Sequence, residues 1–313
     1  MLDWKIIITD GLHESGQDIM RAAAQVDDRS GISPDELVRF IGAYDALIVR
    51  SRTKVSPAIF EAAERLKVIG RAGVGVDNID LAAASAHGVT VVNTPLSTTQ
   101  AVAEQTLALM FALARSIPRA DAAMKSGLWI KKELQGIELN GKVLGIIGVG
   151  NIGSAVARLA TALGMSVIGY DALIPPDEIR LRGLEPAKLA ELFSRSDFIS
   201  LHVPLSPETR GLIDGQTLGL MKRGVRLICT ARGGVIDETA LLGALESGQV
   251  AGAALDVFAK EPPGLSALVA HPHVITTPHI SAQTAEAQAR AALDVATEIL
   301  AALGEETLRW KIV

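Results

Sequence analysis

Short runs of apolar, β-branched residues alternate along the chain with longer segments in which apolar residues recur at helical spacing. In the first third, the short runs predict strands at residues 5–10, 46–51, 68–73 and 89–95. Helical segments separate them near residues 12–24, 34–43, 56–65 and 79–87. Because strands that alternate with helices form parallel sheets covered on both faces, this part predicts a small doubly wound α/β domain.

A second series of the same kind begins after Asn140-Gly141, which is a turn signal. It predicts strands at residues 143–149, 166–171, 198–204, 225–231, 251–258 and 274–278. A long apolar helix is predicted at 98–117, ending before Pro118, and an Ala-rich helix at 284–303. Because the Ala-rich helix follows a complete second sheet, we expect it to return to the first domain.

The composition is that of an ordinary globular protein. The 313 residues exceed the usual size of one core, 49% of them are hydrophobic, and the net charge is -5. This balance argues against a disordered chain and against a nucleic-acid-binding surface. The sequence shows no apolar stretch long enough to cross a bilayer, no secretory signal, no Cys/His metal spacing and a single cysteine, Cys229. We therefore expect no membrane, nucleic-acid or metal partner and a cytoplasmic location.

A glycine motif lies between a predicted strand and a predicted helix. Gly148, Gly150 and Gly153 form the pattern G-x-G-x-x-G. The first glycine permits a tight turn, the second lets the backbone approach a pyrophosphate, and the third lets the helix pack closely on the strand. Asp171 lies about 20 residues further on, at the end of the next strand, where an acid binds ribose hydroxyls and repels a 2′-phosphate. The motif predicts a dinucleotide site and favours NAD over NADP.

Ionisable residues at strand ends are candidates for chemistry beside this site. If the dinucleotide serves hydride transfer from a hydroxy acid, a base must take the hydroxyl proton and a cation must bind the carboxylate. Of the six histidines, His202 and His279 follow strands of the second series, where open α/β sheets bind ligands. Arg232 and Glu261 follow strands of the same series. His202 stands in a His-Val-Pro turn, and a place in the wall of an adenine pocket suits it better than the role of catalytic base.

Three segments carry a resemblance to a known family. Residues 231–237 read ARGGVID, residues 256–262 read DVFAKEP, and Pro278-His279 follow. Together with the glycine motif they resemble the D-isomer-specific 2-hydroxyacid dehydrogenases, and the likeness runs from the first strand to the last helix. The resemblance implies two doubly wound parallel-sheet domains: a Rossmann NAD-binding domain, residues 99–287, inserted into a flavodoxin-like substrate domain, residues 1–98 and 288–313.

The resemblance also implies roles for individual residues. Arg232 would bind the substrate carboxylate through its planar guanidinium, His279 would exchange the proton on the 2-oxygen, and Glu261 would hold the other ring nitrogen. Asp256 would orient the nicotinamide carboxamide. The other implied NAD contacts are Gly148, Gly150, Asn151, Ile152, Gly153, Asp171, Val203 and Ala231. The acid end of the substrate would bind Arg50, Ser51, Val74 and Gly75.

The implied substrate is a small D-2-hydroxy acid or 2-keto acid. The segments at residues 49–55, 70–78 and 124–129 favour 3-phosphoglycerate. Residues 96–99 read LSTT and depart from the family pattern, so glyoxylate, hydroxypyruvate or a lactate-like acid is the alternative. A third possibility from a different class is a non-catalytic, NAD-sensing protein of the corepressor kind.

Two further expectations concern assembly and regulation. The helix predicted at 98–117 is apolar nearly all round, which predicts burial between domains or in a homodimer. The last predicted helix ends shortly before Val313, so we expect no C-terminal regulatory domain.

Overall fold

The computed structural model describes residues 4–313, so Met1, Leu2 and Asp3 of the predicted N-terminus lie outside the described residues. The chain forms two compact units: unit 1 holds residues up to Thr98 together with Ala282–Val313, and unit 2 holds Thr99–Ser281. The chain returns to unit 1 at Ala282, whereas the boundary expected from the sequence was residue 288. Gln283 already hydrogen-bonds with Arg50 of unit 1.

Ten of the twelve strands within residues 4–313 match the predicted series and are generally shorter, whereas β2 and β8 were not predicted. Those of unit 1 are β1 (Lys5–Ile8), β2 (Gln25–Asp28), β3 (Ala46–Val49), β4 (Val68–Arg71) and β5 (Thr90–Asn93). Those of unit 2 are β6 (Val143–Ile147), β7 (Ser166–Tyr170), β8 (Glu185–Pro186), β9 (Phe198–Leu201), β10 (Val225–Cys229), β11 (Val250–Leu255) and β12 (Val274–Thr276).

Each helix predicted for the first domain lies at its expected place between strands of unit 1, and unit 2 contains further helices that were not predicted individually. Unit 1 begins with α1 (Glu14–Arg21), α2 (Pro34–Phe40), α3 (Pro57–Ala62) and α4 (Leu81–Ala86). Unit 2 contains α5 (Thr99–Arg115), α6 (Ile117–Lys125), α7 (Asn151–Ala162), α8 (Pro176–Leu181), α9 (Leu189–Arg195), α10 (Gly215–Gly219) and α11 (Glu238–Glu246), and α12 (Ala285–Leu303) belongs to unit 1. Within residues 4–313, none of these helices has the length and apolar character that a membrane crossing requires.

The sheet of unit 1 is parallel, with the strand order β2-β1-β3-β4-β5. Successive side chains of a strand point to opposite faces. In β1, Ile7 therefore enters the core that contains Leu47, whereas Ile6 and Ile8 pack in the core that contains Val295 and Ile299 of α12. The predicted return of the last helix to the first domain is confirmed, and the strand order is that of flavodoxin-like folds.

The C-terminal tail closes the edge of this sheet. Lys311 forms an antiparallel bridge with Val92 of β5, beyond the last parallel strand. Glu298 of α12, which is 1% exposed, accepts hydrogen bonds from the backbone and the Nε of Arg309 at 2.9 and 2.8 Å. A buried carboxylate needs such charge-assisted partners, so the bonds that satisfy Glu298 also hold the tail against the strand edge.

The sheet of unit 2 is also parallel, with the order β12-β11-β10-β9-β6-β7-β8. The order reverses at β6, which lies between β7 and β9. Ligands of open α/β sheets bind at the carboxyl ends of the strands at this reversal. The predicted α/β class with two doubly wound sheets is confirmed, and the reversal places the glycine motif, which follows β6, at the expected ligand site.

The long apolar helix α5 ends as predicted. Ser116 has a left-handed φ of 51°, and Pro118 lies at the start of α6. Within unit 2, α5 packs against α7, β10 and β11. One face is buried through residues such as Ala103 and Met110, whereas Phe111 is 40% exposed. One face of this helix is therefore buried within unit 2, and another side carries an exposed apolar residue.

Candidate active site

A tight turn of glycines joins β6 to α7. Gly148 has a φ of +92°, and a Cβ there would lie 2.6 Å from the carbonyl oxygen of His202. A Cβ on Gly153 would lie 2.0 Å from the carbonyl oxygen of Gly148, so this position admits only glycine as well. A Cβ on Gly150, by contrast, would meet nothing within 4 Å. The turn is therefore closed on its protein side and open at Gly150, where a ligand can approach the backbone.

The start of α7 offers its backbone amides to this open side. Gly150 is the N-cap, and no side chain caps the helix. Asn151 and Ile152 form the first turn, whose N–H groups have no acceptor within the helix. Free amides and the helix dipole together favour an anion such as a pyrophosphate. The residues present thus fit the dinucleotide that the glycine motif predicts.

Asp171 follows β7 and is tied to the turn. One carboxylate oxygen accepts the N–H of Val149 at 2.8 Å, and the other accepts the N–H groups of Leu173 and Ile174 at 2.9 and 3.1 Å. A carboxylate has about four acceptor positions, so one remains for a ribose hydroxyl. The contact between Asp171 and a ribose stays a prediction.

The walls beside the turn come from the ends of β9 and β10. A Cβ on Gly148 would lie 2.9 Å from a methyl group of Val203, which places that side chain against the turn. Ala231 is buried after β10. The ring of His202 bonds through Nε2 to the hydroxyl of Ser200 at 2.8 Å, and burial lowers its pKa to about 4. A neutral ring held inward in this way suits a pocket wall.

The proposed base and its partner are in contact. His279 Nδ1 lies 2.8 Å from a carboxylate oxygen of Glu261. The second oxygen of Glu261 accepts the N–H of Phe258 at 3.1 Å, which fixes the carboxylate. The contact leaves Nε2 of His279 as the nitrogen that can exchange a proton with a ligand.

A buried carboxylate holds the turn that carries His279. Asp256 is 0% exposed and accepts four hydrogen bonds, from the Thr277 hydroxyl, the Ile280 N–H, and both the N–H and the hydroxyl of Ser281. Its carbonyl oxygen also accepts the N–H of His279 at 2.9 Å. These bonds keep His279 at a left-handed φ of 54°, which side chains rarely adopt without such support. These four bonds fill the acceptor positions of the carboxylate, so the predicted contact of a nicotinamide carboxamide with Asp256 stays a prediction that requires one of the bonds to be exchanged.

Arg232 lies in the turn after β10. Its Nη1 donates to the carbonyl oxygen of Ala231 at 2.7 Å. A Cβ on the next residue, Gly233, would lie 1.8 Å from the carbonyl oxygen of Phe258. The turn of Arg232 therefore packs backbone to backbone against the loop that leads to Glu261, and the glycine permits this approach.

Several supporting residues were not predicted from the sequence. Glu238, the first residue of α11, accepts the N–H of Ala259 at 2.7 Å and so holds the loop of Glu261. Thr277 and Ser281 support the turn of His279 through Asp256. A polar residue near a helix start or a strand end is common, so the sequence carries no distinct signal for these roles. Their contacts arise only when separate strand ends meet.

In unit 1, the predicted substrate residues Arg50 and Ser51 lie in a braced loop. Asp10, whose side chain is 4% exposed, accepts the N–H groups of Arg50 and Thr53 at 2.7 and 3.0 Å. Burial opposes ionisation, but the hydrogen bonds from Thr53 and Arg50 outweigh it and lower the pKa of Asp10. Asn78 donates to the carbonyl oxygens of Arg50 and Thr53 at 3.0 and 2.6 Å. The loop is therefore rigid around Arg50.

The second predicted substrate segment is the turn after β4. Gly73 has a φ of +146°, and its carbonyl oxygen accepts the N–H of Thr94 at 3.0 Å. The side chain of Asn93 donates to the carbonyl oxygen of Val74 at 2.7 Å. With the carbonyl groups of this turn so engaged, Val74 and Gly75 are held in place for their predicted role.

Gln283 adds a contact that the sequence did not predict. Its side-chain oxygen lies 3.3 Å from Nη2 of Arg50. The two residues are far apart in sequence, and only the fold brings them together within unit 1.

Unit 2 thus has a dinucleotide-binding turn at the reversal of a doubly wound sheet, and an Arg, Glu and His set at the carboxyl ends of the same sheet. These features define an NAD-binding domain of the oxidoreductase kind. The model of the D-isomer specific 2-hydroxyacid dehydrogenase, NAD binding domain, matches residues 107–281. The chain belongs to this family.

Sequence relatives carry the name D-3-phosphoglycerate dehydrogenase. The protein from Synechocystis sp. is 48% identical over 295 residues, which are 94% of this chain and 53% of the relative. The protein from Methanocaldococcus jannaschii is 48% identical over 296 residues, 94% of this chain and 56% of the relative. The chain spans about half the length of the curated relatives that it matches.

Solved structures of similar size match over the whole chain. The TT0316 protein from Thermus thermophilus has a TM-score of 0.91 and 34% identity, covering 99% of this chain and 100% of that one. A glyoxylate reductase from Paecilomyes thermophila has a TM-score of 0.91 and 30% identity, covering 100% and 99%.

Proposed function

We propose that this chain is an NAD-dependent dehydrogenase that moves a hydride between NAD and C2 of a small D-2-hydroxy acid or 2-keto acid. The contact between His279 and Glu261 carries the proposal. A histidine whose Nδ1 is held by a carboxylate presents Nε2 as a proton acceptor or donor. Bound NAD supplies the partner for the hydride.

The side chains of unit 2 supply the remaining steps. In the oxidation, Nε2 of His279 takes the proton of the 2-hydroxyl group, and in the reduction it returns that proton to the 2-oxygen. Arg232 binds the substrate carboxylate and polarises the 2-oxygen, since a guanidinium can donate two parallel hydrogen bonds. Asp256 orients the nicotinamide carboxamide as well as the turn of His279.

The cofactor is bound by the turn and its walls, and the acid end of the substrate by unit 1. The proposed NAD contacts are Gly148, Gly150, Asn151, Ile152, Gly153, Asp171, Val203 and Ala231. The proposed substrate contacts are Arg50, Ser51, Val74 and Gly75. The support for this assignment is that both segments of unit 1 are braced, by Asp10 and Asn78 in one case and by Asn93 in the other.

We propose 3-phosphoglycerate as the substrate. Its support is the naming of the relatives from Synechocystis and Methanocaldococcus, together with the cationic Arg50 in a rigid loop. Glyoxylate or hydroxypyruvate is the second candidate, because the similar structure from Paecilomyes is a glyoxylate reductase and Leu96 in the departing segment is 52% exposed.

The test is the absorbance of NADH at 340 nm with the purified protein and 3-phosphoglycerate, glyoxylate, hydroxypyruvate and D-lactate in turn. We expect turnover of the phosphorylated acid. The variant His279→Gln should lose a factor of about 10² to 10⁴ in kcat, the size of general acid–base catalysis, and still bind NADH. The matched control is His273→Gln, which changes an exposed histidine outside the proposed set and should leave kcat unchanged.

The outcomes separate the candidates. Turnover of only the small unphosphorylated acids would assign the second substrate class. An intact protein that binds NADH and turns over none of the four acids would contradict the catalytic proposal and favour a non-catalytic NAD sensor.

We further propose that the protein is a cytoplasmic homodimer. The proposed interface, called the apolar patch, consists of exposed apolar residues of α5, α6 and the turn after them: Phe111, Ile117, Met124, Leu128 and Trp129. All five are at least 40% exposed, and Trp129 is 78% exposed. In a dimer with a two-fold axis, the same patch of each copy faces the other, so that each patch can cover its partner. The support for the location is that the chain has a single cysteine, Cys229, which is free and buried.

A further inference from the structure

Val149, in the middle of the dinucleotide-binding turn, is hydrogen-bonded through both its N–H and its carbonyl oxygen. Val149 stands between Gly148 and Gly150, and its N–H donates to Asp171 at 2.8 Å. Its carbonyl oxygen accepts the hydroxyl of Ser154 at 3.0 Å and Nη1 of Arg182 at 2.6 Å. The shortest of these bonds therefore comes from a cationic side chain that the glycine motif does not include.

Arg182 reaches the turn from the end of α8. Its side chain is 29% exposed, and Nη2 pairs with Glu178 one turn earlier on the same helix. The planar guanidinium thus bridges a carboxylate and a backbone carbonyl in a fixed orientation. Arg180 lies two positions earlier. Among the contacts of residues 4–313, it pairs with the exposed Asp177 and makes no contact with the turn.

The turn needs such a brace because of its composition. Val149 lies between two glycines, so each of its two peptide groups, Gly148–Val149 and Val149–Gly150, has a neighbour without a Cβ to restrict its rotation. Rotation of the first peptide group would carry the Val149 N–H away from Asp171, and rotation of the second would alter the path of the backbone into α7. The bond to Asp171 restrains the first peptide group, the bonds from Ser154 and Arg182 restrain the second, and together they keep the amides of Asn151 and Ile152 directed towards the anion.

We infer that Arg182 is a positioning residue for the dinucleotide: through the Val149 carbonyl it fixes the turn that binds the pyrophosphate. The inference rests on the NAD binding of the proposed function. Arg182 acts through the protein backbone and does not itself touch the cofactor. It extends the dinucleotide site from the glycine motif to the end of the helix that follows β7.

The experiment measures the Kd of NADH, and separately that of NADPH, by fluorescence, without substrate, for the wild type and three variants. Arg182→Met keeps the length of the side chain and removes its donors, and we expect its Kd to rise about tenfold, the effect of one hydrogen bond from a charged group. Arg182→Lys retains one donor and should restore part of the affinity. Arg180→Met is the matched control and should bind NADH like the wild type. Thermal unfolding of each variant shows whether unit 2 is folded.

Three results would overturn the inference. The first is a folded Arg182→Met protein with the Kd of the wild type. The second is an unchanged Kd for NADH with weaker binding of NADPH alone, since that pattern assigns Arg182 to a 2′-phosphate. The third is a loss of affinity that Arg180→Met shares. A wild type that binds NADH with this pattern and turns over none of the acids would contradict the catalytic proposal and leave the role of Arg182 supported.

Discussion

At the scale of single residues, His202 shows how burial sets a charge. Its Nε2 is bonded to Ser200, its Nδ1 is buried without a hydrogen-bond partner among residues 4–313, and burial lowers its pKa to about 4. A histidine in an unfolded chain titrates near its ordinary value of 6.5. The folded protein therefore takes up this proton at a lower pH than the unfolded chain.

This difference gives a dependence of stability on pH. Because the unfolded chain binds the proton first, the contribution of a neutral His202 is complete above pH 6.5 and is lost as the pH falls towards 4. We expect His202→Gln, whose amide can still bond to Ser200, to flatten the fall in the free energy of unfolding over that window. Denaturant unfolding at several pH values measures it, with His273→Gln as the control. Parallel curves for the wild type and His202→Gln would contradict the prediction.

The residues within motifs were predictable from the sequence, whereas the residues that hold them in place through hydrogen bonds were not. The G-x-G-x-x-G spacing predicts glycine at Gly148 and Gly153, and at both positions an added Cβ would clash with a backbone oxygen. His279 and Glu261 were placed together by resemblance, and they are in contact. Arg182 carried no signal, because its bond to a backbone carbonyl depends on where a later helix ends.

At the scale of elements, the start of α11 supports the loop of Glu261. Glu238→Ala removes the acceptor for the N–H of Ala259, whereas Glu238→Gln keeps a side-chain oxygen there. We expect the alanine variant to lose about 10- to 100-fold in kcat, since a small displacement of a reacting group has effects of this size. The glutamine variant should remain near the wild type.

Steady-state kinetics and NADH binding test this role together. A positioning effect lowers kcat and leaves the Kd of NADH unchanged, whereas general damage to unit 2 would alter both. Glu246→Ala, at the last residue of α11, is the matched control. A Glu238→Ala protein with the kcat of the wild type would show that the loop holds Glu261 without this bond.

The elements that the sequence did not predict have physical explanations. Strand β2 reads QVDD and is mostly exposed at the edge of its sheet, so it lacks the apolar run that marks a buried strand. Strand β8 has two residues, too few for a pattern. Helix α6 follows α5 after the single left-handed residue Ser116, and the proline that predicted an end also starts the next helix.

At the scale of the whole molecule, the apolar patch on unit 2 predicts the oligomeric state. We expect the wild type to sediment at twice 32.9 kDa. Trp129→Glu places a charge in the patch and should shift the protein towards the monomer. Leu173→Glu alters another exposed apolar residue of unit 2, 92% exposed and outside the patch, and should leave the mass unchanged. A monomeric wild type would contradict the prediction.

The alternation of strands and helices was sufficient to predict two α/β domains, because each series has its own complete set of strands. The return of α12 followed from order alone, since the second sheet was already complete. The substrate was not fixed in the same way, because the identity of a small acid depends on a few side chains around Arg50. The loop braces at Asp10, Asn78 and Gln283 are tertiary contacts that no local pattern encodes.

The insertion of unit 2 into unit 1 has a consequence for synthesis on the ribosome. Ile6 and Ile8 are made long before Val295 and Ile299, which cover them. At translation rates of about 5–20 residues per second, the early strands wait roughly 15–60 seconds for their covering helix. Unit 2 is continuous in the chain and can complete its own core during that interval. During that interval the face of β1 that carries Ile6 and Ile8 lacks its cover, and exposed apolar surface of this kind favours aggregation.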